Sequence, residues 1–303
     1  GLRAYLDGLK QRDALVVLNG IFHPSLYSLS RLLSRKDVPF VVAPHGPYHP
    51  WLFRKNAHLK WPYWYLIERH LLQRARALQF LDKRQAVWSR RLGIDKPVVE
   101  APNGFQPEDV VPESRLVWRA DGPVRLLYWG RLDIHTKGLD LLLEAFAQLG
   151  AEWDAQLTVQ GPDWAGERQR VEQLVAALPF PQRVSLRAPV FDTPAPFVMV
   201  EHDVVCLPSR FEGFGLSVLE AMLAARVVLV PKSAGIAPHV EASGCGVTVK
   251  ADTEGVREGL RALLARRDQW REMGLRGRAH ALRHLRWDAI AGHALEQYRE
   301  LVD

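Results

Sequence analysis

From residue 122 onward the chain alternates short runs of β-branched and aliphatic residues with longer segments whose apolar positions recur at helical spacing. "VRLLYWGRL" reads as a strand and "KGLDLLLEAFAQL" as a helix, and "AQLTVQG" with "ERQRVEQLVAAL" repeats the pair. "RVSLRAPV", a short helical piece near 194–201, "DVVCLPS", a helix after Gly215, "VVLVPKS" and "GVTVK" continue the series. Strands apolar on both faces and separated by helices call for a parallel sheet covered by helices on its two sides. The rhythm dictates an α/β fold.

The earlier part carries the same theme more loosely, with "ALVVLNG", a helix after Pro24, "PFVVAPHG", a long helical stretch from about 58 to 77, "LQFLD" and "VVEAPNG". A chain of 303 residues suits two domains of about 150 residues each. The expected layout is an N-terminal Rossmann-like domain over 1–112 and a C-terminal one over 122–286, facing each other across a cleft. Residues 105–121, polar and proline-containing, suit the connection. The last helical pattern, 287–303, can pack on either domain and is a candidate addition to the first. A doubly wound domain usually opens on an apolar strand and a glycine-rich turn. This chain opens on a helical pattern, "LRAYLDGLKQRD", so the first strands of the N-terminal domain are expected to be missing.

A net charge of +6 admits an anionic partner, whether nucleotide, phospholipid surface or nucleic acid. No recognised nucleic-acid motif accompanies it, so nucleic acid is not expected. Cys206 and Cys245 lack metal-ligand spacing and favour a reducing, cytoplasmic setting. No apolar run reaches the roughly 18 to 20 residues that cross a bilayer, and no signal peptide opens the chain. The protein is expected to be soluble, or peripheral at the inner face of the plasma membrane. The 11 histidines are scattered and no acid pair has a divalent-ion spacing, so no metal is expected to be essential.

Open parallel sheets bind ligands at the carboxyl ends of their strands, and the unusual stretches fall there. In "GRLDIHTKG", Gly130 lets the backbone approach a ligand, and Arg131 and Lys137 make a plausible diphosphate cradle; both are equally compatible with solvated surface charges. In "SRFEGFGLSVLEAM", Gly213, Phe214 and Gly215 lead into a helix at Leu216, whose unpaired N–H groups and dipole suit an anion. Glu212 precedes the glycines and Glu220 lies about one turn inside the helix; a carboxylate accepts paired hydrogen bonds from neighbouring sugar hydroxyls. Seen alone, Glu220 is an ordinary first-turn acid. His45 in "APHG" and Asn103 in "PNG" end first-domain strands, where a structural histidine and a plain turn are the simpler readings. Gly161 closes "AQLTVQG" and is counted with the donor-binding positions.

Together these residues carry a family likeness. "FEGFGLSVLEAM" resembles the E-x7-E motif of retaining glycosyltransferases of the GT-B fold, in particular family 4. "GRLDIHTKGLDLLLEAF" is similar to that family's G-R…K-G-x-D-x-L-x-x-A-F segment, and "PFVVAPHGPYHPW" and "VVEAPNGF" to its first-domain landmarks. The resemblance implies that Arg131 and Lys137 hold the donor diphosphate, Glu220 the ribose, and Glu212 the hydroxyls of the transferred sugar. It implies that the amides of Phe214, Gly215 and Leu216 hold phosphate and sugar, and that His45 reaches the sugar from the other domain. "RAPV", ending at Val190, would pass beside the base; Ala188 stands where the family often has glycine.

The expected function is transfer of a hexose from a nucleoside-diphosphate sugar, UDP- or GDP-linked, to a glycan, glycolipid or other hydroxyl acceptor, with retention. The resemblance points to same-face substitution, in which a donor phosphate oxygen takes the acceptor proton. The alternative is a catalytically silent sugar-nucleotide-binding or scaffold protein. "WLFRKNAHLKWPYWYLIERHLLQRARAL", 51–78, mixes aromatic with basic residues. It suits contact with an anionic membrane carrying a lipid-linked acceptor, or, more plainly, a helix whose Trp, Tyr and Leu face the core.

Overall fold

The structure, a computed structural model, describes residues 14–302 apart from 47, 55, 151 and 152. The helical pattern of "LRAYLDGLKQRD" lies outside the described residues, as does Lys55. The chain divides into two compact units, one running to Pro102 and resuming at Asp288, the other spanning Asn103–Trp287.

The first unit is built on a parallel sheet of four strands, β1 (Val16–Asn19), β2 (Phe40–Ala43), β3 (Ala77–Phe80) and β4 (Val98–Glu100), in the order β1-β2-β3-β4. Every residue of β2 is buried, which is why its run has no polar alternation. Helix Pro24–Arg35 starts with proline in its first turn, where the missing N–H has no helical partner to lose.

The stretch after residue 56 forms helix Ala57–Tyr63, a wide π turn over Trp64–Glu68 and helix Arg69–Arg74. Pro62 sits inside the first of these, and the π turn follows it. Trp64, Leu71 and Leu72 are buried as a core-facing helix requires, whereas Leu59, Trp61, Tyr65 and Leu66 are exposed. The plain core-helix expectation therefore holds for only one face. Inside the π turn, buried Glu68 accepts hydrogen bonds from Tyr48 Oη at 2.8 Å and Phe22 N at 3.2 Å, and burial raises its carboxyl pKa.

From Asp288 on, the last helix, Trp287–Val302, belongs to the first unit. Ile290 and Ala294 pack with Ala101, and Tyr298 packs with Val41, Ala77 and Val99. The Gln297 amide accepts from Glu100 N at 2.9 Å and donates to Glu100 O at 3.0 Å, extending the sheet's hydrogen bonding through a side chain.

The second unit is built on six parallel strands, β5 (Val124–Trp129), β6 (Ala155–Gln160), β7 (Val184–Arg187), β8 (Val204–Cys206), β9 (Val227–Pro231) and β10 (Gly246–Val249). Their order is β10-β9-β8-β5-β6-β7. All five residues of β9 are buried, and helix Leu139–Leu149 buries seven of its eleven. Such all-round burial marks central elements. Residues 105–121, expected as a connection, divide with this unit. Val111 is fully buried, its carbonyl accepts from Arg278 Nη2 at 2.6 Å, and Val117 O accepts from Arg226 Nη1 at 2.8 Å. Two buried arginines thus tie down a segment whose polar surface suggested a free linker. Cys206 and Cys245 are both buried and unpaired.

Candidate functional site

In an open parallel sheet a crevice opens at the carboxyl ends where strand order reverses, because the loops after the two neighbouring strands lead to opposite sides. In the second unit this happens between β5 and β8: the chain proceeds from β5 to β6 and β7 on one side, then resumes at β8 on the other. "GRLDIHTKG" follows β5 and "LPSRFEGFG" follows β8, so the two motifs meet at the reversal.

Two glycines make that meeting possible. Gly161, after β6, lies so near the β5 loop that a Cβ there would stand 1.9 Å from Gly130 O. Gly138 closes the short helix Ile134–Lys137 at φ +69°, and a Cβ on it would stand 2.1 Å from Pro208 O. No other residue type permits that approach. It presses the β5 loop onto the β8 loop and brings Lys137 against Glu212, Nζ to Oε2 at 2.7 Å, with side chains 18% and 13% exposed.

Further contacts hold the pair. Buried Ser209 donates to the same Glu212 oxygen at 3.3 Å. Arg210 grips Asp140 with two parallel hydrogen bonds of 2.7 and 2.8 Å, and its N–H donates to Thr136 O at 3.0 Å. Asp133 caps the short helix by accepting from Thr136 N at 3.0 Å, and Glu167 accepts from Ile134 N at 2.6 Å. Ser209, Arg210, Asp140 and Glu167 were not singled out from the sequence. The signal was available: Arg210 lies inside "SRFEGFGLSVLEAM", and Asp140 is the acid of the K-G-x-D pattern in "GRLDIHTKGLDLLLEAF".

Arg131 is placed differently from Lys137. Its guanidinium lies over the Trp164 ring at 4.0 Å from the centroid, and its carbonyl accepts from buried Tyr128 Oη at 2.5 Å. Of the glycine stretch, Phe214 is buried and its carbonyl accepts from Ile236 N at 2.9 Å. Gly213 lies one step before it, its carbonyl so close to Gly235 that a Cβ there would meet it at 2.7 Å. Gly215, at φ +107°, opens helix Leu216–Leu223 with no side-chain cap, and Leu216 is exposed. An uncapped, partly exposed helix start suits an anion.

Glu220 is half-buried on that helix. Burial pushes its carboxyl up to about 7, and the nearby Asp109 carboxylate adds to the effect. Asp109 was not foreseen as its neighbour, because residue spacing carries no sign of the fold-back of 105–121. Gln160, at the end of β6, donates from Nε2 to Ala188 O at 3.0 Å, fixing the segment that ends at half-buried Val190. Asn103 is half-buried at the start of the second unit.

His45 belongs to the first unit. It follows β2 at φ +55°, a conformation strained for a side-chain-bearing residue, and its Nε2 lies 2.8 Å from Asn19 Oδ1 at the end of β1. Among the described residues no group of three His, Cys, Asp or Glu is arranged to hold a metal ion. Among the described residues, too, no helix is long and apolar enough to cross a membrane.

Comparison with known proteins bears on what these loops are. Residues 123–266 match the family described as glycosyl transferases, group 1. The chain is 27% identical over 207 residues to the MMP α-(1→4)-mannosyltransferase of Mycolicibacterium hassiacum, a match covering 64% of this chain and 48% of that protein. It spans about half the length of the curated relatives it matches first. Among solved structures, sucrose-phosphate synthase from Thermosynechococcus elongatus superposes with a TM-score of 0.78 at 22% identity, over 99% of this chain and 76% of that one. Anabaena HepE in complex with UDP-glucose superposes with a TM-score of 0.74 at 18% identity, over 94% of this chain and 78% of that one. At such identities the likeness establishes the fold. The family match covers the strands and loops that carry Lys137, Glu212 and Glu220, so residues 123–266 are similar to group 1 glycosyl transferases, and the chain has the GT-B fold of the solved structures.

Proposed function

We propose that the protein is a retaining glycosyltransferase that moves a hexose from a nucleoside-diphosphate sugar to a hydroxyl of a glycan or glycolipid. The observation that carries the reading is the partly buried Lys137–Glu212 pair, set beside the uncapped start of helix Leu216–Leu223 at the strand-order reversal. In this reading Lys137 and Arg131 neutralise the charge that builds on the leaving diphosphate, which lowers the barrier where a metal does so elsewhere. Glu212 orients the sugar hydroxyls and also fixes Lys137, so one carboxylate serves both substrate and cation. The amides at Phe214, Gly215 and Leu216 meet phosphate and sugar. Glu220 takes the ribose hydroxyls, while Gly130, Gly161, Gly213, Val190 and Asn103 shape the rest of the donor pocket. His45, its ring held by Asn19, is the candidate site residue within the first unit.

UDP is the favoured nucleotide because HepE was solved with UDP-glucose. Thermal-shift measurements against UDP, GDP and ADP sugars test this, since a ligand that binds only the folded state raises its apparent stability. A rise with UDP-glucose, followed by slow release of UDP without acceptor, is the expected result. A shift without release favours a silent sugar-nucleotide-binding protein, and no shift with any donor refutes the reading.

A second observation bears on the acceptor. Leu59, Tyr65 and Leu66 are 62%, 56% and 70% exposed on one face, with Arg54 exposed nearby. Apolar side chains of this size in water, flanked by positive charge, suit the headgroup layer of an anionic membrane. We propose a membrane-associated, lipid-linked acceptor on this ground.

A further inference from the structure

The first unit holds a cavity of about 380 Å³ lined from helix Pro50–Arg54, helix Ala57–Tyr63 and helix Ala86–Arg91. Phe53, Trp61, Trp88 and Leu92 supply its apolar walls. An aromatic ladder leads into it from the surface. Exposed Tyr65 stacks on Trp61 with 6.0 Å between centroids, and Trp61 stacks on buried Phe53 at 4.5 Å, with interplanar angles of 25° and 23°. Tyr65 also belongs to the exposed face that carries Leu59 and Leu66, so the ladder joins that face to the cavity.

Two cations border this apolar space. Arg54 and Arg91 both line it and both are exposed; Arg54 lies over the Trp51 ring at 5.2 Å and Arg91 over the Trp88 ring at 4.7 Å from the centroids. A guanidinium carried on an aromatic face is held in place while its N–H fork stays available to an oxyanion. The two charges act on one point. His49, whose ring meets Trp88 edge-on at 4.4 Å, has its pKa lowered first by burial and then by Arg54 and Arg91. Among the described residues no acid lines the cavity. An apolar pocket with paired cations at its border matches an alkyl chain below an anionic head. A wholly polar anion would leave the aromatic walls in water, and a neutral apolar ligand would make no use of the arginines. The volume falls within the range of about 300–1,000 Å³ typical of small-molecule sites.

We propose that this cavity takes one acyl chain of an anionic membrane phospholipid, whose phosphate meets Arg54 and Arg91. The inference rests on the membrane reading of the Leu59 and Leu66 face and goes beyond it: the face lies on the bilayer, whereas the cavity draws a single chain out of it.

Titration of the whole chain with octanoyl, decanoyl and dodecanoyl lysophosphatidylglycerol, each below its micelle concentration, tests this without a bilayer. Affinity should rise about tenfold for each two methylenes added. The dodecanoyl lipid should bind about tenfold more tightly than zwitterionic dodecanoyl lysophosphatidylcholine, and glycerol 3-phosphate should not saturate the protein up to about 10 mM. A brominated chain should quench tryptophan emission, and Trp88→Phe, which keeps a ring in the wall, should lessen that quenching while binding persists. Arg54→Gln with Arg91→Gln alters exposed side chains and should erase the preference for the anionic head. Ala57→Phe fills the space and should weaken the chain about tenfold or more. Affinity independent of chain length, equal affinity for the two headgroups, quenching unchanged in Trp88→Phe, or tighter binding of dodecanoate than of its lysophosphatidylglycerol would each overturn the proposal. Vesicle flotation separates it from the reading it rests on. Flotation without lysolipid binding would sink this site and keep the membrane reading; lysolipid binding by a chain that does not float would sink the membrane reading and keep the site.

Discussion

Lys137 and Glu212 are 75 residues apart in the chain, and each is buried enough that losing the other leaves a charge short of water. Glu212→Ala is therefore expected to lower turnover by about 100-fold or more through lost sugar positioning and a misplaced lysine. The check is the rate of nucleoside-diphosphate release at saturating donor, and near-normal turnover removes Glu212 from the site. Glu220 offers a separate test through pH. Its folded pKa of about 7 stands above the ordinary 4.5, so folding disfavours the ionised form, and the group's contribution to stability falls as pH rises between those values. If ribose hydroxyls donate to the carboxylate, nucleotide affinity must rise across the same upper range, by about tenfold from pH 6 to pH 8. Titration calorimetry with UDP should show that slope in the native protein and a flat profile in Glu220→Gln. Both acids were legible as candidates because they bracket a glycine stretch after a strand. The Lys137–Glu212 contact and the raised Glu220 pKa were not, since each depends on which side chains the fold brings alongside.

The element that decides the site is the turn ending at Gly138. With φ at +69° and only 2.1 Å available to Pro208 O, Gly138→Ala must either shift the β5 loop from the β8 loop or leave the left-handed conformation. Destabilisation of about 2 kcal/mol or more is expected, together with loss of nucleotide affinity. Gly166→Ala is the control: it too has positive φ, at +82°, but nothing lies within 4 Å of its added methyl, so about 1 kcal/mol of conformational cost is all that should appear. Urea unfolding of both variants measures the difference. At this scale most strands and helix starts could be read from the sequence, because hydrophobic period and glycine or proline punctuation are local signals. The four strands of the first unit fall on the four apolar runs quoted from its sequence, β4 being the shortest at Val98–Glu100. The tight tie of residues 105–121 to the second unit escaped because a polar stretch does not advertise the distant Arg226 and Arg278 that bind it.

For the whole molecule, the exposed face around Leu59 and Leu66 predicts behaviour at a bilayer. The chain should float with vesicles containing phosphatidylglycerol and not with neutral ones, more weakly at high salt, and Leu59→Asp with Leu66→Asp should abolish flotation without loss of thermal stability. Flotation of the double variant equal to the native protein would assign that face to another purpose. The amino-acid order alone determined the α/β class, the parallel sheets and the loops that carry the candidate site residues, because burial on both strand faces and helical spacing are written residue by residue. Only the tertiary structure decided that the final helix covers the first unit's sheet through Tyr298 and Gln297, and that Arg131 rests on Trp164 while Lys137 meets Glu212. A helical pattern identifies the face that must be buried, not the surface that buries it; that choice rests on contacts between residues far apart in the chain.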